Sequence, residues 1–213
     1  MKTIFAGFSP FPGAPYNPSG DLIEMLTQRP APSAEVYPVL LPVDWDKSWQ
    51  ILREAIERER PETVVLFGLH ITAERLRLEL LAQNRRELGR KDASGGFPAG
   101  PSILEGPPKY ESRLPWAELA ALLRSEGIDF EWSSDAGAYL CNDTFYRLAH
   151  NAENLGVRHY GFIHIPMSDE RVGDFAAGNA SIPPVFNSIS AEKLLRFAHG
   201  LGALFGARSE LIG

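Results

Sequence analysis

The first third of the chain alternates strand patterns with helix patterns, and this alternation constrains the fold more than any other feature. Apolar runs at residues 3–6, 34–43 and 63–67 predict three strands. Between them, residues 21–28 and 46–59 carry apolar side chains at helical spacing and predict two helices. Strand, helix, strand, helix, strand is the order that builds a parallel sheet covered by helices.

The rest of the chain continues in the same way. Further strands are predicted at 76–80, 130–133 and 157–165. Helices are predicted at 116–125, from the end of the turn at 134–138 to about residue 154, and at 193–204, the last with Ser190 as N-cap. A small-residue loop is predicted at 174–184. The predicted fold class is α/β: a three-layer α/β/α sandwich with a mixed, mostly parallel, twisted sheet flanked by helices. At 213 residues, one domain over residues 1–213 is expected.

Composition argues against several classes of function. The formal net charge is −6 and no basic block is present, so neither nucleic acid nor an anionic membrane surface is an expected partner. No apolar run of membrane-spanning length and no secretory leader is evident, so a cytoplasmic location is expected. The chain has one cysteine, which forms no internal disulfide, and no Cys/His cluster has metal-ligand spacing. We therefore expect no metal.

The single cysteine, Cys141, lies where a strand pattern passes through small residues into a helix pattern. Leu140, Phe145 and Leu148 fall on one apolar face of that helix. A thiol in the first turn of a helix is close to free N–H groups and to the positive end of the helix dipole. That environment lowers a cysteine pKa and favours the nucleophilic thiolate. Taken alone, however, a lone cysteine is more often a small buried hydrophobic residue.

A histidine stands near the end of another strand pattern. Residues 160–166 form an apolar run that ends in Pro166, with His164 close to its C-terminal end. Catalytic groups gather at the carboxyl ends of strands in open α/β sheets. Cys141 and His164 are the nucleophile and the base that a cysteine hydrolase needs. The residues by themselves indicate a Cys–His pair and leave its substrate open.

Three blocks of the sequence resemble pyroglutamyl peptidase I, a family of cysteine peptidases also called pyrrolidone-carboxylate peptidases. The blocks are residues 7–13 (GFSPFPG) with 17–19 (NPS), residues 134–146 (SDAGAYLCNDTFY), and residues 162–166 (FIHIP). Each block is short, but the three in this order are specific. The resemblance extends from residue 3 to about residue 166.

The resemblance implies a catalytic domain that removes N-terminal pyroglutamate from peptides by thiolate attack of Cys141, with His164 as base. It implies that Phe8 and Phe11 sandwich the lactam ring and that Asn17 helps to organise the site. Two phenylalanines on a proline-stiffened loop suit a flat, uncharged ring, although plain loop packing explains them equally well. The resemblance further implies no cofactor, a small peptide substrate with a blocked N-terminus, and a homodimer or homotetramer.

The match is only partial between residues 68 and 84. Counting without a gap from Gly68 places Glu79 on the family's catalytic acid, the group that orients the histidine as the third member of a triad. The alternating pattern around Glu79 is also that of an exposed strand residue. If the register is shifted, Glu74 is the rival candidate.

The same stretch leaves other functions open. The family's glutamine position is Leu69, and its Gly-Gly-Arg positions are Ile71, Thr72 and Ala73. These changes suggest a related Cys–His hydrolase of another small acyl or amide substrate, or a binding-only relative without competent geometry. A redox-sensing cysteine is a third alternative, and it is weakened by the lack of a resolving cysteine.

Residues 85–115 are predicted as a long Gly- and Pro-rich loop, which the family resemblance places over the active site and in the oligomer interface. Arg90 lies near the family's active-site arginine only if one residue is inserted. Without that insertion it is expected to be an exposed charge on the loop.

Overall fold

The computed structural model of the chain describes residues 1–32, 34–177 and 186–210. The strands in this part of the chain are β1 (Thr3–Phe8), β2 (Val36–Leu41), β3 (Thr63–Leu69), β4 (Leu76–Glu79), β5 (Leu81–Gln83), β6 (Lys109–Glu111), β7 (Phe130–Ser133), β8 (His159–Ile165), β9 (Met167–Ser168) and β10 (Ser188–Ile189). The helices are α1 (Pro18–Gln28), α2 (Lys47–Glu59), α3 (Trp116–Ser125), α4 (Leu140–Asn151), α5 (Val172–Ala177) and α6 (Ala191–Glu210). Each predicted strand and helix has a counterpart here; α3 and β7 have the predicted bounds, and the other elements have shifted ends.

Six strands form the central sheet in the order β2-β1-β3-β8-β4-β7. All neighbouring pairs described in this sheet are parallel except β4 and β8, which run antiparallel. The prediction of a mixed, mostly parallel sheet is therefore confirmed. Strand β3 runs two residues past its predicted end, because Gly68 and Leu69 still pair with His164 and Ile165 of β8.

Successive side chains of the central strands point into two different apolar layers. Ile4 and Val64 belong to a buried cluster on the face that carries α2 and α4. Phe5 and Val65, the next residues along, belong to a second cluster with α1, α3 and α6. Helices therefore cover both faces of one sheet, which confirms the three-layer sandwich. None of the described helices is long and apolar enough to cross a membrane.

The C-terminal part agrees with the sequence in one feature and differs in another. Ser190 is the N-cap of α6, since its Oγ accepts a hydrogen bond of 3.2 Å from the backbone N–H of Lys193. The loop predicted at 174–184 begins inside α5, and its residues 178–184 lie outside the described residues.

The two ends of the long segment after β5 are held together by strand pairing. Strands β5 and β6 pair antiparallel, so residues 84–108 form a loop between them. Asn84 ties this loop together: its Oδ1 accepts from the N–H groups of Ile103 (2.7 Å) and Leu104 (3.2 Å), and its Nδ2 donates to the Leu104 carbonyl (2.8 Å). The segment 85–115, predicted as a long loop, therefore contains one short strand, β6, and the Asn84 side chain just before it holds the loop in place.

Candidate active site

The topology brings the two candidate reactive side chains to one edge of the sheet. Strands β3 and β8 are parallel neighbours in which Gly68 is level with His164. A Cβ atom built on Gly68 would lie 3.0 Å from the Sγ of Cys141. The N-terminus of α4 therefore lies against the carboxyl ends of these strands, where the sequence predicted a Cys–His pair.

Cys141 is the second residue of α4 and is partly buried. The N-cap residue Tyr139 makes no side-chain capping hydrogen bond with the described residues. The N–H groups of the first turn of α4 therefore have no N-cap side chain as acceptor, although many helices begin with one. Gly137, at φ 82°, adopts the left-handed conformation that leads the chain into the helix.

His164 is buried between the cysteine and an acid. Its side chain is 3% exposed, and its Nδ1 lies 2.8 Å from Oε1 of Glu79. Burial lowers the pKa of this imidazole, but hydrogen bonds and charge from Cys141 and Glu79 outweigh burial and raise the pKa from 6.5 to about 9. At neutral pH the ring is therefore held as an imidazolium beside the thiol.

Glu79 is fully buried, contrary to the exposed position that its alternating pattern allowed. Strand β4 is an interior strand of the sheet, with β8 on one side of it and β7 on the other. Besides His164, the Glu79 Oε1 contacts Nε of Arg77 at 3.3 Å. The Glu79 Oε2 is buried with no hydrogen-bond partner among the described residues. Glu74, the rival candidate, is exposed, and among the described residues the carboxylate that meets His164 is that of Glu79.

Cys141 and His164 line a cavity of about 290 Å³ whose walls are largely apolar. This volume suits a small ligand more than a large one. The other lining residues are Phe8, Phe11, Asn17, Val43, Leu69, His70, Ile71, Thr72, Glu87, Arg90, Ala136, Gly137, Ala138, Tyr139 and Leu140. Of the six candidate residues from the sequence, Glu79 alone is absent from this wall, because it lies behind His164. No group of three or more metal-ligating side chains occurs within the described ranges.

The two phenylalanines of the cavity wall are held by different parts of the structure. Phe8 is the last residue of β1, is 2% exposed, and stacks on Phe162 with a ring-centroid separation of 6.3 Å. Phe11 lies on the following loop and packs against Tyr139 at 6.1 Å. One ring is therefore fixed by the core, and the other by the residue that precedes the nucleophile helix.

Asn17 holds the loop that carries Phe11. Asn17 is the N-cap of α1: its Oδ1 accepts from the backbone N–H (3.1 Å) and the hydroxyl (2.8 Å) of Ser19. Its Nδ2 donates to the Ser9 carbonyl at 3.1 Å. Asn17 thus joins the two ends of the proline-rich loop while it lines the cavity.

Two other residues of the 134–146 block connect α4 to the long loop. The buried Asn142 accepts from the Gln83 N–H (2.9 Å) and donates to the carbonyls of Gln83 (2.8 Å) and Arg85 (3.1 Å). The Tyr146 hydroxyl donates to the Pro107 carbonyl at 2.6 Å. The loop therefore starts and ends against α4.

Two cavity residues differ from the sequence interpretation. The guanidinium of Arg90 lies over the ring of Tyr139 at 3.8 Å, so this loop charge, although 45% exposed, is also part of the cavity wall. His70, which was not singled out, lies at the end of β3 with its ring centroid 5.3 Å from that of His164. The signal in the sequence that could have identified His70 is its position directly after a buried strand, where functional side chains of α/β sheets are found.

Gly68→Ala is expected to destabilise the protein by about 1–3 kcal/mol and to slow alkylation of Cys141. The added Cβ would lie 2.6 Å from Cζ of Phe162, a fully buried ring that packs against Phe8 and Phe145. Urea unfolding and the rate of iodoacetamide labelling measure the two effects.

Gly89→Ala is the matched control, since a Cβ added at Gly89 would have no atom of the described residues within 4 Å and the φ of Gly89 is ordinary. Equal stability and equal labelling rates for the two variants would contradict the close packing of β3 against Cys141.

The model of the family described as pyroglutamyl peptidase matches residues 1–195. A pyrrolidone-carboxylate peptidase from Oceanobacillus iheyensis is 35% identical over 169 residues, which are 78% of this chain and 84% of that protein. One from Vibrio vulnificus is 31% identical over 201 residues, covering 94% and 89%.

Solved structures give the same likeness over nearly the whole chain. A mutant pyrrolidone carboxyl peptidase from the hyperthermophile Pyrococcus furiosus has a TM-score of 0.85 and 29% identity, with 99% of this chain and 100% of that chain covered. The pyrrolidone carboxyl peptidase of Fervidobacterium islandicum has a TM-score of 0.85 and 26% identity, with 95% and 97% covered.

Proposed function

This chain belongs to the pyroglutamyl peptidase family, and from that membership we propose that it removes N-terminal pyroglutamate from peptides by cysteine catalysis. One observation carries the proposal: Cys141, His164 and Glu79 form a connected series that ends in a small, largely apolar cavity. A nucleophile, a proton carrier and an orienting acid in this order are the parts of an acyl-transfer site.

In the first half of the reaction, Cys141 attacks the carbonyl carbon of the pyroglutamyl group. Cys141 attacks as the thiolate with His164 beside it as the imidazolium, and backbone N–H groups at the start of α4 stabilise the oxyanion of the tetrahedral intermediate. His164 then donates its proton to the departing amine, the C–N bond breaks, and a thioester joins the pyroglutamyl group to Cys141. Glu79 holds the imidazole ring in position through Nδ1.

In the second half, water hydrolyses the thioester. His164, now neutral, removes a proton from the water as it attacks the same carbonyl carbon. The C–S bond breaks, free pyroglutamate leaves, and the imidazolium–thiolate pair is restored. No redox step occurs, and the chain's own residues supply each proton transfer.

The largely apolar wall of the cavity favours an uncharged acyl group as the part of the substrate that binds there. Pyroglutamate has no free α-amine, so an acidic side chain that binds an ammonium group is not needed in its pocket. We propose that Phe8 and Phe11 enclose the lactam ring, and that Asn17 acts by holding the loop that carries Phe11. Apolar walls with a few polar groups are the usual lining of a pocket for such a ligand.

A related hydrolase with a different small acyl substrate remains the second candidate. It is favoured by Ile71 and Thr72, whose side chains line the cavity where the family has glycines. The binding-only alternative is less well supported, because the cysteine, the histidine and the acid are all in contact.

Release of a fluorescent amine tests the function directly. The protein is expected to cleave the pyroglutamyl amide at least about 100-fold faster, in kcat/KM, than the prolyl or alanyl amide, because the charged amines of the last two lose hydration in an apolar cavity. The prolyl amide is the matched control, since its five-membered ring lacks only the lactam carbonyl. Comparable rates for all three amides, or no cleavage of any by folded protein, would reject the proposal.

We further propose that the protein acts in the cytoplasm and as a homodimer or homotetramer. A catalytic thiol is best preserved in a reducing compartment. The oligomer is proposed from the family resemblance, and sedimentation at several protein concentrations tests it.

A further inference from the structure

The turn after β3 places a second imidazole in the cavity, one that the proposed reaction does not use. The side chains of Leu69, His70, Ile71 and Thr72 all line the cavity. Among these, His70 carries the largest polar group. Its backbone N–H donates to the Ile165 carbonyl at 2.9 Å, so the start of the turn is fixed to β8.

The His70 ring itself is held from two directions. It packs edge-to-face against His164, with a centroid distance of 5.3 Å and an interplanar angle of 78°. Its Nδ1 lies 3.2 Å from the Oγ1 of Thr72, while Nε2 has no such partner among the described residues. One ring nitrogen therefore orients the ring, and the other is left for a ligand.

His70 is uncharged at neutral pH. Burial lowers its pKa most, and the positive charges of His164 and Arg77 lower it further, to about 4, with Glu79 acting in the opposite direction. A neutral imidazole has one N–H donor and one nitrogen acceptor. It can therefore pair with a carbonyl or an amide N–H in an apolar cavity without the desolvation of a charge.

The turn borders the side of the cavity that holds Phe11. Leu69 and Ile71, on either side of His70, pack in the same apolar cluster as Phe11. Phe11 is one of the two rings proposed to enclose the lactam. Glu87 and Arg90 line the cavity from the loop of residues 84–108, where Arg90 lies over the Tyr139 ring.

We propose that His70 is a specificity-determining residue whose Nε2 hydrogen-bonds to the lactam amide of the bound pyroglutamyl group. The inference rests on the proposed function and adds a contact to it. The lactam offers a C=O acceptor and an N–H donor on adjacent ring atoms, so either tautomer of the neutral ring finds a partner. His70 thereby recognises the feature that distinguishes pyroglutamate from a plain five-membered ring.

His70→Phe separates this role from simple packing. Phenylalanine retains an aromatic ring against His164 and removes both ring nitrogens. With the pyroglutamyl amide, His70→Phe is expected to lower kcat/KM about tenfold, the effect of one lost hydrogen bond, mostly through KM. His70→Gln keeps a polar group, so it is expected to lose less than His70→Phe.

A pair of substrates provides the decisive readout. The pyroglutamyl amide is compared with the cyclopentanecarbonyl amide, which has a ring of the same size without the lactam C=O and N–H. The preference of the wild-type protein for the lactam is expected to shrink about tenfold in His70→Phe. Thr72→Val, which removes the orienting hydroxyl, is expected to shrink it less. Equal losses on both substrates, or no change in preference, would overturn the proposal.

Two controls keep the outcomes separate. Unfolding curves and the labelling rate of Cys141 are expected to match the wild type, which shows an intact reactive pair; if His70→Phe does not fold, His70→Leu, which also lacks both ring nitrogens, takes its place in the comparison. If the wild-type protein cleaves no pyroglutamyl amide, the proposed function fails and the inference with it. If it cleaves selectively and both variants keep full selectivity, the inference alone is wrong.

Discussion

Cys141→Ala is expected to reduce kcat for pyroglutamyl amide hydrolysis by on the order of 10⁵-fold, since the nucleophile itself is removed. The remaining cavity is unchanged, so the variant should still bind pyroglutamyl peptides. Cys141→Ser, which keeps the shape but places a much less acidic hydroxyl beside His164, is also expected to lose nearly all activity. Initial rates with the fluorescent amide and equilibrium binding of an uncleaved peptide measure the two properties.

The chain provides its own control, because Cys141 is its only cysteine. Iodoacetamide should add one group to the wild-type protein, none to either variant, and abolish wild-type activity in step with labelling. A Cys141→Ala protein that retained more than about 1% of the wild-type rate would contradict a mechanism in which losing the nucleophile costs several orders of magnitude.

Glu79→Gln is expected to lower kcat about 10²–10⁴-fold, as in other triads where the orienting acid becomes an amide. The negative charge of Glu79 helps to raise the pKa of His164 to about 9. Without that charge, the imidazolium loses its proton at a lower pH. The alkaline limb of the kcat/KM profile, expected near pH 9 in the wild type, should therefore move toward neutral pH.

Glu131→Gln is the matched control for this change. Glu131 also pairs with Arg77, at 3.0 Å, but its side chain is 42% exposed, and the acid on His164 is Glu79. Its variant is expected to keep both the rate and the alkaline limb. If the two glutamate variants behaved alike, the effect would belong to Arg77, and the assignment of Glu79 as the orienting acid would be wrong.

The layers of the fold and the Cys–His pair were accessible from the sequence because their signals are local. Strands β1 and β3 are continuous apolar runs, and α2 has apolar residues at spacings of three and four, so each pattern identifies its own element. Cys141 and His164 each occupy a strand or helix end, where α/β sheets collect reactive groups. They meet because the start of α4 packs against Gly68 of β3, and Gly68 is level with His164 in the parallel pair of β3 and β8.

Glu79 was accessible only through the family resemblance. It is 85 residues from His164 in the chain, and its burial depends on β4 being inserted between β8 and β7. No local pattern specifies that insertion, and the alternation of Leu76–Glu79 equally fits a half-exposed strand. The burial of a strand face is set by its neighbours rather than by its own residues.

Arg90 and the loop around it could not be placed from sequence for a related reason. The course of residues 84–108 is set by single hydrogen bonds from Asn84, Asn142 and Tyr146 to distant backbone groups. Such contacts leave no periodic signal. His70 is different, because its position after β3 was visible, and its contact with His164 follows from the pairing of β3 with β8.

The most direct test of the central claim is the mass of the enzyme during turnover. Wild-type protein is mixed with a pyroglutamyl ester, quenched in acid within milliseconds, and digested for mass spectrometry. Cys141 is expected to carry one pyroglutamyl group as a thioester that hydroxylamine removes, and Cys141→Ala is expected to carry none. Rapid hydrolysis with no adduct at Cys141, or an adduct on another residue, would contradict the account.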